Sequence, residues 1–254
     1  QGVHFADHDQ FGWFRARTPL AKIGYSIFIY QVPAGGEAVD LALGGLQLNE
    51  IAPADYALWA SNDVTAHWFD PSQSLITPAN DLSWLALAAS ATVHPSIAAE
   101  IESWPQVAEQ AGYVLYRQPD GQLATDPALV TFESDGRRID LNRAGYDWSA
   151  AAAGDVLSLA TTWTRHGPAS PVKLFVHVTG EDGQIVAQWD GLGALWEGWR
   201  DGDRLLQLQQ LQLPDHLEPG AYQVWLGVYT PDSGSRWPTP QGDRYALERL
   251  VVGQ

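Results

Sequence analysis

Short alternating segments, separated by Asp-Gly and Pro-Gly punctuation, fill the second half of this chain and constrain its fold more than any other feature. The run goes from Gly145-Tyr146 through Phe175-Val176-His177-Val178, Gln188-Trp189-Asp190 and Pro219-Gly220-Ala221-Tyr222 to Leu226-Gly227-Val228-Tyr229 and Ser233-Gly234-Ser235-Arg236. Each strand of a half-buried sheet hides every second side chain, and each reversal needs a residue that tolerates a turn, so this rhythm predicts an antiparallel β-sandwich. Strands are expected at 129–132, 138–146, 156–163, 172–178, 185–189, 204–213, 220–229 and 245–252, enough for two packed sheets of Ig-like or jelly-roll-like kind. The Leu/Gln alternation over 205–213 predicts one face in the core and one in water.

The first 120 residues have another rhythm. Residues 22–32 are aromatic and β-branched and read as a strand ended by Pro33 and Gly35-Gly36. Strands follow at 39–43, 64–69, 82–89 and 112–118, with short helices at 53–60 and 95–101, each with proline near its start. Strands alternating with helices imply crossover connections, so this half is expected to be a small, largely parallel, Rossmann-like α/β layer. The fold class expected is thus α/β plus all-β. The α/β domain would span 1–120 and the sandwich 121–254, with the polar, turn-forming stretch 119–127 as linker.

Composition removes several functions. The 254 residues carry 30 acidic and 14 basic side chains, a net charge of −16, and the only lysines are Lys22 and Lys173. A surface this acidic repels phosphate backbones and anionic headgroups, which argues against nucleic-acid binding and against membrane insertion or electrostatic docking. With neither cysteine nor methionine, the chain has no thiolate for zinc or iron–sulfur ligation and no thiol nucleophile. Without an initiator methionine the expectation is a piece of a longer protein, any signal or anchor lying upstream.

The run quoted first resembles the soluble C-terminal, extracytoplasmic region of bacterial multi-pass membrane glycosyltransferases similar to protein mannosyltransferases. The residues that carry the resemblance are Phe175-Val176-His177, Asp182-Gly183, Gln188-Trp189-Asp190, Trp199-Arg200-Asp201-Gly202, Pro219-Gly220-Ala221-Tyr222 and Gly227-Val228-Tyr229, within about 140–240. Segments 15–30 and 63–70 are similar, more weakly, to the region that joins the membrane portion to this tail. The resemblance implies a non-catalytic accessory region outside the cytoplasm, tethered through an upstream membrane domain of the same chain and contacting glycan or acceptor. Catalytic residues of such enzymes lie between membrane helices, so none transfers to this chain.

Twelve tryptophans make sugar recognition worth locating. Flat aromatic faces stack on sugar rings while carboxylates and amides bond the hydroxyls. The expected contacts are Trp189, Asp190, Trp196, Glu197 and Trp199 of the loop 190–203, with Gln188 and His177 nearby; the competing reading is that the tryptophans plug the sandwich core. His177 and Asp190 can pair as acid and base, or simply satisfy each other inside a core. His4, Asp7, His8 and Asp9 carry metal-ligating side chains without defined spacing. Asp135-Gly136, Asp182-Gly183 and Asp201-Gly202-Asp203 are turns that can offer oxygens to calcium, though none has EF-hand spacing; no other cofactor is expected. Gly44-Gly45 lacks a phosphate-loop pattern, and no Gly-x-Ser-x-Gly elbow occurs. Two other functions remain open at this stage: a structural surface or assembly module, and a glycoside-active domain using a carboxylate pair.

Overall fold

A computed structural model describes residues 12–119, 126–146, 148 and 151–253. The cluster of His4, Asp7, His8 and Asp9 lies outside the described residues, as does most of the expected linker. After a one-turn helix α1 (Gly12–Arg15), the chain forms β1 (Ala21–Ile23), β2 (Ile27–Ile29), β3 (Val39–Gly44), α2 (Tyr56–Trp59), β4 (Val64–Phe69), β5 (Ser74–Thr77), β6 (Ser83–Ala88), α3 (Pro95–Ile101), β7 (Gln106–Glu109) and β8 (Tyr113–Arg117). The second half holds β9 (Val130–Ser134), β10 (Arg137–Tyr146), β11 (Val156–His166), β12 (Lys173–Thr179), β13 (Ile185–Gly191), β14 (Arg204–Gln212), β15 (Gly220–Thr230), β16 (Ser235–Arg236) and β17 (Tyr245–Val252).

These strands make a mostly β molecule. Two antiparallel sheets, β5-β14-β11-β10-β9 and β13-β12-β15-β16 with β17 also on β15, form the sandwich. Their inner faces share one core, in which Phe132, Leu141 and Trp163 of the first sheet meet Leu174, Val176 and Leu226 of the second. The turns are made as their residues require. Asp135 and Gly136 both take positive φ, 50° and 74°, between β9 and β10, the backbone that matches the twist of a two-residue hairpin.

The first half departs from expectation. Segment 22–32 is a hairpin of two three-residue strands turned at Gly24, whose φ is +63°, so it is not a single strand. Its neighbour is a mixed sheet of order β4-β3-β6-β8-β7. Only β3 with β4 and β3 with β6 run parallel; β6 with β8 and β8 with β7 are antiparallel. Helical cover is limited to short segments, so the layer is mixed and not largely parallel. One face of this sheet buries Leu41, Leu43, Trp59 and Trp84 in a core of its own; the other, through Ala42, Phe69 and Leu85, joins the sandwich core.

Two connections tie the halves together. β5 lies within the first 120 residues yet forms the edge of the first sandwich sheet, pairing Ser74–Thr77 with β14. Residues 193–195 return from the sandwich to the free edge of β4, through Asp70 N–H to Gly193 O at 2.7 Å and Leu195 N–H to Trp68 O at 3.0 Å.

β14 also corrects the Leu/Gln reading. Gln207 and Gln209 are buried on the inward phase, while Leu206 and Leu208 face outward, with Leu208 in the cluster that holds Ile97 and Ile101 of α3. The inward glutamines are tolerated because they are bonded. Gln207 Oε1 accepts from Gly193 N–H at 2.7 Å, and its amide nitrogen donates to Gln73 O at 3.1 Å. The Gln209 amide lies 2.7 Å from Thr161 Oγ1.

Candidate functional site

Where the mixed sheet meets the loop after β13, three ionisable side chains converge. Asp40 and His67 occupy the face of β3 and β4 that looks toward the sandwich, and Asp203 ends the loop just before β14. His67 is 1% exposed, with Nε2 at 2.9 Å from Asp40 Oδ1 and Nδ1 at 3.0 Å from Asp203 Oδ2. Nδ1 also lies 2.7 Å from Gly198 O. Burial by itself pulls an imidazolium down. Here the hydrogen bonds and charges of Asp203 and Asp40 outweigh it and push His67 up to about 9. At neutral pH this is therefore an imidazolium between two carboxylates, with both N–H groups donating.

The loop is held in register by its own backbone. Asp203 accepts from Ala79 N–H at 3.1 Å and from Arg200 N–H at 2.7 Å, while Trp199 Nε1 donates to Asp203 O at 3.1 Å. Gly198 lies flat against β4: a Cβ there would sit 2.9 Å from Trp68 N and 3.1 Å from His67 Cα. Only glycine allows the loop so close. Beneath it Arg165, 1% exposed, donates to Trp196 O at 3.3 Å, Pro168 O at 3.0 Å and Ser170 Oγ at 3.1 Å, with its guanidinium 5.7 Å from the Trp199 ring. Burial, with the like charge of Arg137, lowers its pKa to about 10, against the pull of Asp203. Arg165 thus stays charged near neutrality.

Above this bonded floor is an open cleft of about 950 Å³, lined among others by Asp40, Asn80, Trp196, Glu197, Arg200 and Asp201. Trp196 is half-buried, and Glu197, Arg200 and Asp201 are exposed. The arrangement offers one aromatic side chain, carboxylates, an amide and a guanidinium around a concave surface, which is the chemistry that binds a neutral polyhydroxylated ligand.

The residues expected from sequence separate into four places. Trp196 and Glu197 line the cleft. Trp199 is fully buried beneath it, so its ring serves packing and is closed to a ligand, a correction to its expected role. Gln188, Asp190 and His177 lie on the outer face of the second sandwich sheet, since β12 and β13 pair Phe175 with Asp190 and His177 with Gln188. Trp189, one residue out of phase, points the opposite way and lines a separate pocket of about 540 Å³ with Tyr146, Ser158 and Gln210. The seven residues therefore do not make one site, because strand alternation divides neighbours in sequence between two faces.

On the outer face His177 Nε2 is 3.7 Å from Asp190 Oδ2, too long for a hydrogen bond. Burial lowers the His177 pKa, helped by the charges of Arg236 and Arg244 and opposed by Asp190. Phe175 lies over Gly227, where a Cβ would come within 2.2 Å of its ring, and Arg236 covers it at 4.8 Å. The Asp-Gly turns are likewise engaged. Asp135 pairs with Arg137 at 2.9 Å, Asp182 accepts from Gln184 N–H at 2.9 Å and Asp201 from Gly167 N–H at 2.8 Å. Among the described residues no group of three or more His, Asp or Glu is arranged to hold a metal ion.

Sequence reasoning missed Asp40, His67, Asn80 and Arg165. A signal existed for three of them: Asp40 in Val-Asp-Leu-Ala-Leu, His67 in Thr-Ala-His-Trp-Phe and Arg165 in Trp-Thr-Arg-His are polar side chains within otherwise buried strands. Asn80 has no such mark.

No protein-family model and no curated protein sequence matches the chain. Among solved structures it overlaps the CARDB domain of the PF1109 protein of Pyrococcus furiosus, at 8% identity over 54% of this chain and 100% of that one, with a TM-score of 0.31. It overlaps the C-terminal domain of wzt at 12% identity over 44% and 68% of the two chains, with a TM-score of 0.28. A glycosyl hydrolase family 2 member from Bacteroides cellulosilyticus DSM 14838 overlaps at 12% identity over 57% of this chain and 21% of its own, with a TM-score of 0.28. Superpositions this loose carry no argument about function.

Proposed function

We propose that this chain is a non-catalytic accessory region that recognises glycan or a glycosylated acceptor, and that the cleft over His67 is where it does so. The observation that carries the reading is the placement of half-buried Trp196 beside exposed Glu197 and Asp201, on a floor whose polar groups already have partners. A rigid floor and an accessible rim suit binding. His67 does not suit the role of a general base, because it is pushed up to about 9 and holds its proton near neutrality.

The finer parts of the reading rest on the sequence. Strand patterning reads the sandwich as Ig-like or jelly-roll-like, and the family resemblance reads the whole as the extracytoplasmic tail of a membrane glycosyltransferase similar to protein mannosyltransferases. An upstream membrane domain of the same chain is its expected partner.

Tryptophan fluorescence, titrated with a panel of neutral oligosaccharides, tests the binding. A saturable change that disappears in Trp196→Ala and survives in Gln188→Ala, on the outer sheet face, is the result expected. No saturable change across the panel with folded protein would overturn the reading. Release of free sugar from any ligand would overturn its non-catalytic part in favour of a carboxylate-pair hydrolase.

A further inference from the structure

The cleft beside Trp196 does not end at its own rim. Gly167, the residue after β11, lines it and also lines a second open cavity of about 810 Å³, walled by Glu133, Ser134, Arg138, His166 and Pro238 among others. Gly167 has a φ of +85°, and a Cβ there would come 3.4 Å from Gly136 O and 3.7 Å from Arg137 Cα. Its N–H is fixed to Asp201 Oδ1 at 2.8 Å. At the point the two hollows share, the chain therefore presents backbone and no side chain.

The second cavity lies on the outer face of the first sandwich sheet. Register sets Glu133, Arg138 and His166 side by side across β9, β10 and β11, with Thr131, Asp140 and Thr164 in the next row of the same face. Buried Asp140 anchors this face. Its Oδ1 accepts from Thr131 Oγ1 at 2.7 Å, and its Oδ2 lies 3.0 Å from His166 Nε2 and 3.4 Å from Arg138 Nη2. One carboxylate thus orients a half-buried imidazole and an exposed guanidinium. His166 Nδ1 and the Glu133 carboxylate have no side-chain partner among the described residues.

The charges select the ligand class. Both guanidiniums of the wall stand beside carboxylates, Arg137 at 2.9 Å from Asp135 and Arg138 beside Asp140, so no cation is left over for an anionic ligand. What remains is a set of directional donors and acceptors held in place before any ligand arrives, the chemistry that recognises hydroxyl groups.

We propose that the ligand of the cleft is a linear neutral oligosaccharide that runs from Trp196 across Gly167 to a second subsite, where Arg138, His166 and Glu133 bond its hydroxyls. This extension rests on the reading of the cleft as the glycan site. One end of the chain stacks on an aromatic ring, and the other is held by hydrogen bonds alone.

The test is isothermal titration calorimetry of the intact chain with three size series: maltose to maltohexaose, cellobiose to cellohexaose and mannobiose to mannohexaose. In the series that binds, the hexasaccharide should bind about tenfold tighter than the disaccharide, the gain of one or two net hydrogen bonds. Arg138→Ala should remove that gain and leave disaccharide binding at its wild-type value. Glu133→Gln should weaken the hexasaccharide about threefold, and Trp196→Ala should abolish binding at both lengths. Circular dichroism and the thermal midpoint should be unchanged in the Arg138 and Glu133 variants, whose side chains are exposed. Equal affinity for disaccharide and hexasaccharide, or equal weakening of both by Arg138→Ala, would overturn the extension and leave the cleft reading in place. No binding at any length would overturn the cleft reading and the extension with it.

Discussion

His67 is the residue on which the junction turns. Its two neighbours, Asp203 at 2% exposure and Asp40 with a side chain 19% exposed, would be carboxylates facing each other without it. Removing one partner of a buried charge cluster costs about 3–5 kcal/mol, so His67→Ala should lower stability by that order in urea denaturation. The pH dependence has a definite sign. A folded pKa of about 9, against 6.5 for the free side chain, means that the folded state holds the proton more tightly. The stabilisation is fully present below about pH 6.5 and is lost as pH rises through about 9; it is worth about 3 kcal/mol at most. Denaturation midpoints measured from pH 6 to 10 should fall in the wild type and stay nearly flat in His67→Gln. A wild-type midpoint that rises over this window would show that His67 is neutral in the folded protein.

At the scale of elements, two glycines set how closely segments approach. Gly198→Ala places a methyl 2.9 Å from backbone that cannot rotate away. The loop should therefore lift from β4, with a loss of about 1–3 kcal/mol and of any ligand binding at Trp196. A variant with wild-type stability and wild-type binding would refute the closeness of that contact. In the sandwich, Gly227→Ala would put its methyl against the Phe175 ring. That obstacle is a side chain, so Gly227→Ala should destabilise alone and recover in part with Phe175→Leu, a coupling that a double-mutant cycle reads directly. Here the sequence was informative but incomplete. Phe175 and Gly227 stood out as pattern residues, and the strands carrying them were legible from alternation, yet nothing in the order of residues said that the ring rests on the glycine. For the same reason the expected site broke apart. Trp189 and Asp190 are adjacent in sequence and lie on opposite faces, whereas Trp196 and Asp40, far apart in sequence, line one cleft.

The whole molecule adds a constraint that no single element shows. β5 closes the edge of the first sandwich sheet, and residues 193–195 bond the edge of β4 in return. Each half therefore lends hydrogen-bond partners to the other. Heating should give one cooperative transition in calorimetry. A fragment beginning at 126 should lack a stable fold, because loss of Ser74–Thr77 leaves residues 204–207 of β14 an open edge prone to pairing with other chains. Two resolved transitions, or a dispersed amide spectrum from that fragment, would show the halves to be independent.

The amino-acid order by itself determined the periodic features: eight of the ten sandwich strands from alternation, the turns at Asp-Gly, α3 from Pro95, and the net charge of −16. These follow from local sterics and from which side of a strand is apolar, and both are written in neighbouring residues. Tertiary structure alone decided three other things: the mixed pairing of the first sheet, the burial of Gln207 and Gln209, and the meeting of Asp40, His67 and Asp203. Each depends on hydrogen-bond partners and counter-charges that distant segments supply, and a buried polar group is tolerable only once those partners are in place.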